Sequence, residues 1–145
     1  MNIYLADDDE DDRLLFKEAL SNIPLKSNIV EFENGVDLMS ELLKCINLPD
    51  VIFLDLNMPL MNGYECLNDI RSESKFSNIP IVIYSTSYNQ RDIERLKEDG
   101  ANRYIQKPTS FNQLKTLLYK CLRSFNKSEN VETENSNNNF VVLNL

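Results

Sequence analysis

Five residues in this 145-residue chain could do chemistry together: Asp7, Asp8, Asp55, Ser85 and Lys107. Each closes a short apolar run. Ile3-Tyr-Leu-Ala6 leads into Asp7-Asp8, Val51-Ile-Phe-Leu54 into Asp55, Ile81-Val-Ile-Tyr84 into Ser85, and Tyr104-Ile-Gln106 into Lys107. If the runs are brought side by side, three carboxylates, a hydroxyl and an ammonium meet. Two carboxylates about 4 Å apart repel by about 4 kcal/mol at an effective dielectric near 20. Such a cluster must raise a pKa, stay wet or bind a cation. An all-oxygen set suits Mg²⁺ (or Mn²⁺). A carboxylate beside such a cation and a Lys can attack phosphorus and become an acyl phosphate. The cation and the ammonium would neutralise the equatorial oxygens as charge builds on them.

Residues from four segments need a frame that delivers them to one place. The run before Asp55 is too short for an ordinary helix and β-branched at two positions, so it reads as a strand buried on both faces. Ile29-Val-Glu-Phe32 is a further strand, which makes five. Helical spacing falls between them. Arg13–Leu20 places Leu15, Phe16, Ala19, Leu20 and Ile23 on one face, behind acidic residues that suit the helix dipole. Val36–Ile46 presents Val36, Met39, Leu42, Leu43 and Ile46. Tyr64–Arg71 presents Cys66, Leu67 and Ile70. Arg91–Asp99 presents Ile93 and Leu96, with Gly100 as its stop. Phe111–Leu122 presents Phe111, Leu114, Leu117, Leu118 and Leu122. Strict alternation implies an α/β fold, with a parallel sheet, right-handed crossovers and helices on both faces. The strand C-termini then share one edge, where ligands bind in such sheets.

The length suits one domain. A net charge of −8 argues against nucleic acid as a ligand, which needs clustered Lys and Arg. No apolar run approaches the roughly 20 residues that span a membrane, and no secretory leader precedes Ile3, so a cytoplasmic protein is expected. Cys45, Cys66 and Cys121 are far apart and there is no His. That excludes a disulfide framework, a zinc site and His-dependent nucleophilic catalysis. Residues 125–145 read as a tail. It is rich in Asn, Ser and Glu to Asn139 and unsuited to burial, then apolar and strand-prone over Phe140–Leu145. Docking on a sheet edge is one use for that end.

The residues Asp7-Asp8, the run Leu54-Asp-Leu-Asn-Met-Pro-Leu-Met-Asn-Gly63, Ser85-Thr86 and Lys107-Pro108 resemble the receiver domain of two-component response regulators, of the stand-alone chemotaxis-regulator-like type, over residues 1–124. The resemblance implies a flavodoxin-like, doubly wound sheet of strand order 2-1-3-4-5 with five helices. It implies a signalling switch rather than an enzyme, with Asp55 accepting a phosphoryl group from a sensor histidine kinase or a His-phosphotransfer protein. Asp8 would ligate Mg²⁺ directly, with Asp7, Asp55 and the backbone carbonyl of Asn57 completing the protein ligands. Ser85 and Thr86 would meet the phosphoryl group, Lys107 would pair with it, and Tyr104 would be the aromatic switch that buries on phosphorylation. Asn57 and Ser87 sit where they would tune hydrolytic water. The Lys107-Pro108 bond would be cis. The tail is too short and too acidic for a DNA-reading output domain. An unidentified downstream protein is expected, and a homodimer through the last strand and helix or the tail stays open.

Two other readings of the acidic run fit less well. Asp7, Asp9, Asp11 and Glu18 fall at EF-hand positions 1, 3, 5 and 12, but Asp12 occupies the glycine turn and a strand precedes the run. Hydrolases of the haloacid dehalogenase type place a nucleophilic Asp after the first strand in a D-x-D-x-[TV] pattern. Asp7-Asp-Asp-Glu-Asp11 misses its last position.

Overall fold

The strands and helices alternate as β1 (Asn2–Ala6), α1 (Glu10–Ser21), β2 (Asn28–Phe32), α2 (Gly35–Lys44), β3 (Val51–Leu54), α3 (Gly63–Ser72), β4 (Ile81–Ser85), α4 (Gln90–Glu98), β5 (Arg103–Gln106) and α5 (Phe111–Ser124), with one 3₁₀ turn at Ser74–Phe76. The computed structural model describes residues 1–125 and 140–143. All pairings are parallel, in the order β2-β1-β3-β4-β5, which is the expected flavodoxin-like α/β sheet. Ala6 lies opposite Leu54, Leu54 opposite Ile83, and Ser85 opposite Gln106. This register lines up the ends of the four runs on one edge.

Burial explains why β3 is the central mount. All four of its residues are inaccessible, and they alternate between two cores. Ile52 and Leu54 join one face, with Leu38 and Leu42 of α2, Leu67 and Ile70 of α3, and Ile93 and Leu96 of α4. Val51 and Phe53 join the other, with Phe16 and Leu20 of α1 and Leu114, Leu118 and Leu122 of α5. Arg71, at the end of α3, ties the first face together. Its guanidinium donates to the carbonyls of Gly100 (2.9 Å), Phe76 (3.1 Å) and Ile79 (2.8 Å) and to Asn102 Oδ1 (2.9 Å). Gly100, at φ +109°, turns the chain beside that side chain, where a Cβ would lie 2.9 Å from Arg71 Cγ.

Several sequence expectations need correction. Helix α2 runs from Gly35 to Lys44 and turns Leu38 and Leu42 inward, leaving Val36, Leu43 and Ile46 exposed. Cys45 is its cap, at ψ 143°, so the helical period does not reach Ile46. Leu15 and Phe111 are also exposed, because Phe16, Ala19 and Leu20 already fill the α1 contact and Phe111 is the first residue of α5. The Lys107-Pro108 peptide is trans, and no cis peptide occurs among the described residues. Trans is the lower state of an X–Pro bond by about 0.5–1 kcal/mol.

The segment Phe140–Leu143 docks. Phe140 is buried in the α2–α4 core, and Val141 pairs in parallel with Tyr104 along the outer edge of β5. The expectation of a solvated Asn/Ser/Glu stretch falls on residues 126–139, outside the described ones. No helix among the described residues is long and apolar enough to cross a membrane.

Candidate functional site

Asp7 and Asp55 leave adjacent strands and are fixed through their backbones before their side chains act. Asp7 N–H donates to Phe32 O (3.0 Å), and Asp7 C=O accepts from Arg13 Nη1 (2.7 Å). Arg13 is itself buried and paired with Glu31 at 3.3 Å. Asp55 N–H donates to Ala6 O at 2.9 Å. The loop after β3 then returns: Gly63 N–H donates to Leu56 O (3.0 Å). A Cβ on Gly63 would fall 2.3 Å from Asp55 O, so only glycine lets α3 start against this backbone. Asn62 and Glu65 cap that helix reciprocally.

The side chains converge as expected. Lys107 Nζ lies 2.7 Å from Asp7 Oδ2, 2.9 Å from Asp12 Oδ2 and 3.6 Å from Asp55 Oδ2. It also sits over the Tyr84 ring, 5.2 Å from its centroid. Asp55 Oδ1 accepts from Leu56 N–H at 2.8 Å, and Asp7 Oδ1 from Asp9 N–H at 3.0 Å. Asp7 is inaccessible and Asp55 nearly so. Burial pushes the Asp55 carboxyl up to about 7, with Asp7 adding to the rise and Lys107 opposing it. Burial likewise raises Asp7 against the pull of Lys107. For Lys107, burial acts downward, but its bonds to Asp7 and Asp12 outweigh it and keep the ammonium charged.

Asp8 is exposed, yet one oxygen each from Asp7, Asp8 and Asp55 lie within 4.8 Å of one another. Asp7 Oδ2 is the telling atom. It is buried and in ion-pair contact with the Lys107 ammonium at 2.7 Å. One ammonium shared by Asp7, Asp12 and Asp55 leaves negative charge over in this cluster. An oxygen-preferring divalent cation fits this donor set.

The remaining expected residues lie at the end of β4, in the loops after β3 and β4, and on β5. Ser85 is buried, and its Oγ accepts from Ser87 N–H at 3.2 Å. Thr86, Ser87 and Asn57 are exposed. The Tyr104 ring is buried, and its hydroxyl donates to Ser87 O at 2.5 Å. Sequence reasoning missed Asp12, Arg13 and Tyr84. Arg13 left a signal, as the first cation after six acidic residues. Asp12 was hidden inside that run, and nothing local marks Tyr84 as the floor under Lys107.

Comparison with known proteins places these features. The response regulator receiver domain family matches residues 3–119. The chemotaxis protein CheY1 of Helicobacter pylori is 31% identical over 118 residues, covering 81% of this chain and 94% of that protein. The sensor histidine kinase CheAY of the same organism is 31% identical over 121 residues, but the match spans only 15% of its length. Among solved structures, the phosphorylated cyanobacterial phytochrome response regulator RcpA aligns with a TM-score of 0.80 and 31% identity, over 88% of this chain and 94% of that one. The Mn²⁺-bound form of the response regulator Rcp1 aligns with a TM-score of 0.75 and 27% identity, over 86% and 92%.

Proposed function

The chain belongs to the response regulator receiver family, and from that premise we propose that Asp55 is the phosphoryl acceptor of a two-component signalling switch. One observation carries the assignment: Asp55 ends the central strand, nearly buried, with Asp7, Asp8 and Lys107 gathered on it. A carboxylate oxygen of Asp55 bonds to phosphorus as the P–N bond of a phosphohistidine breaks. The electron pair leaves on the imidazole nitrogen, which takes a proton. Lys107, freed from part of its hold on Asp7 and Asp12, pairs with a phosphoryl oxygen, and the Ser85 hydroxyl donates to another.

Asp7, Asp8, Asp55 and the backbone carbonyl of Asn57 would hold Mg²⁺ or Mn²⁺, which when bound neutralises charge on the phosphoryl oxygens. The grouping of Asp7, Asp8 and Asp55 oxygens around a single ammonium supports this, as does the Mn²⁺-bound form of the similar Rcp1. Ser85 and Thr86 form the phosphate-facing turn, while Asn57 and Ser87, exposed beside it, govern the approach of water that hydrolyses the acyl phosphate. The donor is a sensor histidine kinase or a His-phosphotransfer protein, and a downstream protein reads the result. The receiver unit is residues 1–124, followed by the tail of residues 125–145. Three free thiols support a reducing, cytoplasmic setting.

The experiment is phosphodonor labelling with acetyl phosphate and Mg²⁺, followed by peptide mapping. The label should fall on the peptide bearing Asp55, and Asp55→Asn should abolish it while leaving the circular dichroism spectrum unchanged. A label on the Asp7 peptide would sink the assignment.

A further inference from the structure

Tyr104 faces two ways. Its ring lies under the β4–α4 loop, with the hydroxyl on Ser87 O, and Ser87 N–H is in turn held by Ser85 Oγ. Its backbone faces outward at the open edge of the sheet. There Tyr104 N–H donates to Phe140 O (2.8 Å) and Val142 N–H donates to Tyr104 O (2.9 Å). Lys120 of α5 closes the far end by donating to Leu143 O at 3.1 Å. Phe140 fills the same core as Tyr104, Ile93 and Ala101, and Val142 packs on the opposite core. The segment therefore grips both faces of the edge strand at the residue whose ring packs against the site loop.

We infer that the outer edge of β5 is a strand-docking site for Phe140–Leu143, and that the docked strand and a phosphoryl group on Asp55 stabilise the same inward position of Tyr104. This rests on Asp55 being the acceptor. A phosphoryl group that draws Ser85 and Ser87 together favours the inward ring from one side. The docked strand favours it from the other. Two ligands that favour one state help each other, and the help is reciprocal. Phosphorylation must then tighten the strand, and the strand must raise the level of acyl phosphate.

The test uses the full chain with acetyl phosphate and Mg²⁺. Amide hydrogen exchange is read at Tyr104 and Val142, and the label on Asp55 is measured in parallel. Phosphorylation should slow exchange at Tyr104 by about fivefold or more, the lower end of ordinary coupling. Val142→Pro removes the amide that bonds Tyr104 O. It should speed exchange at Tyr104, release the ring in tyrosine NMR spectra and lower the steady-state label. Val142→Ala keeps the amide and should behave as the parent. Full labelling of Asp55 with unchanged exchange at Tyr104 overturns the inference and leaves the acceptor assignment standing. Absence of any label sinks the acceptor assignment and the coupling with it. The docking alone is then judged in the unphosphorylated chain: faster Tyr104 exchange in Val142→Pro upholds it, and unchanged exchange overturns it. Protection that rises with protein concentration would put the strand on a second copy and overturn its assignment to the same chain.

Discussion

Asp7 and Asp55 share a problem that Lys107 only half solves. Both carboxyls are raised above their ordinary range, Asp55 to about 7 from 3.8, with burial as the main cause. A carboxyl whose folded pKa is raised holds a proton that the unfolded chain has already lost. Its contribution to stability is full below the unfolded value and is lost as pH rises through the folded one. Without a divalent cation, this site should make the protein progressively less stable between about pH 4 and pH 7. A bound cation competes with those protons, so millimolar Mg²⁺ should raise the melting temperature clearly at pH 8 and little at pH 5. Thermal melts at both pH values check this, and equal Mg²⁺ effects would contradict it. The chemistry of these residues was legible in the sequence because each acid or base ends an apolar run. What Asp12 and Tyr84 do was not legible, since their roles arise only where α1 and β4 meet the Lys107 side chain.

The elements act as spacers with tight tolerances. Helix α3 begins so close to β3 that Gly63 is steric necessity, and Gly63→Ala should destabilise by about 1–3 kcal/mol. Because the displaced atom is the Asp55 carbonyl, the same change should slow labelling of Asp55, which urea titration and phosphodonor kinetics can score separately. At the other end of α3, Arg71→Met would strip donors from three carbonyls and Asn102, with an expected loss of at least about 1.5 kcal/mol in urea titration. Element order and type were readable from the alternation of period-2 and helical patterns. The inward face of α2 was not. Its apolar residues wrap most of the helix, so Val36 and Leu43 read as inward beside Met39 and Leu42, whereas Leu38 and Leu42 are the buried pair and Met39 packs at their margin.

For the whole molecule, charge sets the terms of encounter. The chain carries −8, and Asp8, Asp9, Glu10 and Asp11 stand exposed at the mouth of the site. An anionic small phosphodonor approaches against this field, so its labelling rate at saturating Mg²⁺ should rise as ionic strength is raised and the repulsion is screened. A rate that falls or stays flat from low to moderate salt would show that the bound cation and Lys107 govern approach instead. The sheet also has two borders, and the molecule treats them differently. At β2, Glu31 sits on the border strand and is held by Arg13 and Lys17. A charge there discourages a foreign strand from pairing. At β5 the chain lays its own Phe140–Leu143 segment along the border. The same few residues that clasp Tyr104 therefore deny that edge to other molecules, so shortening the chain before Phe140 should bare it and let two copies pair strand to strand, which sedimentation of the shortened chain would detect as a dimer.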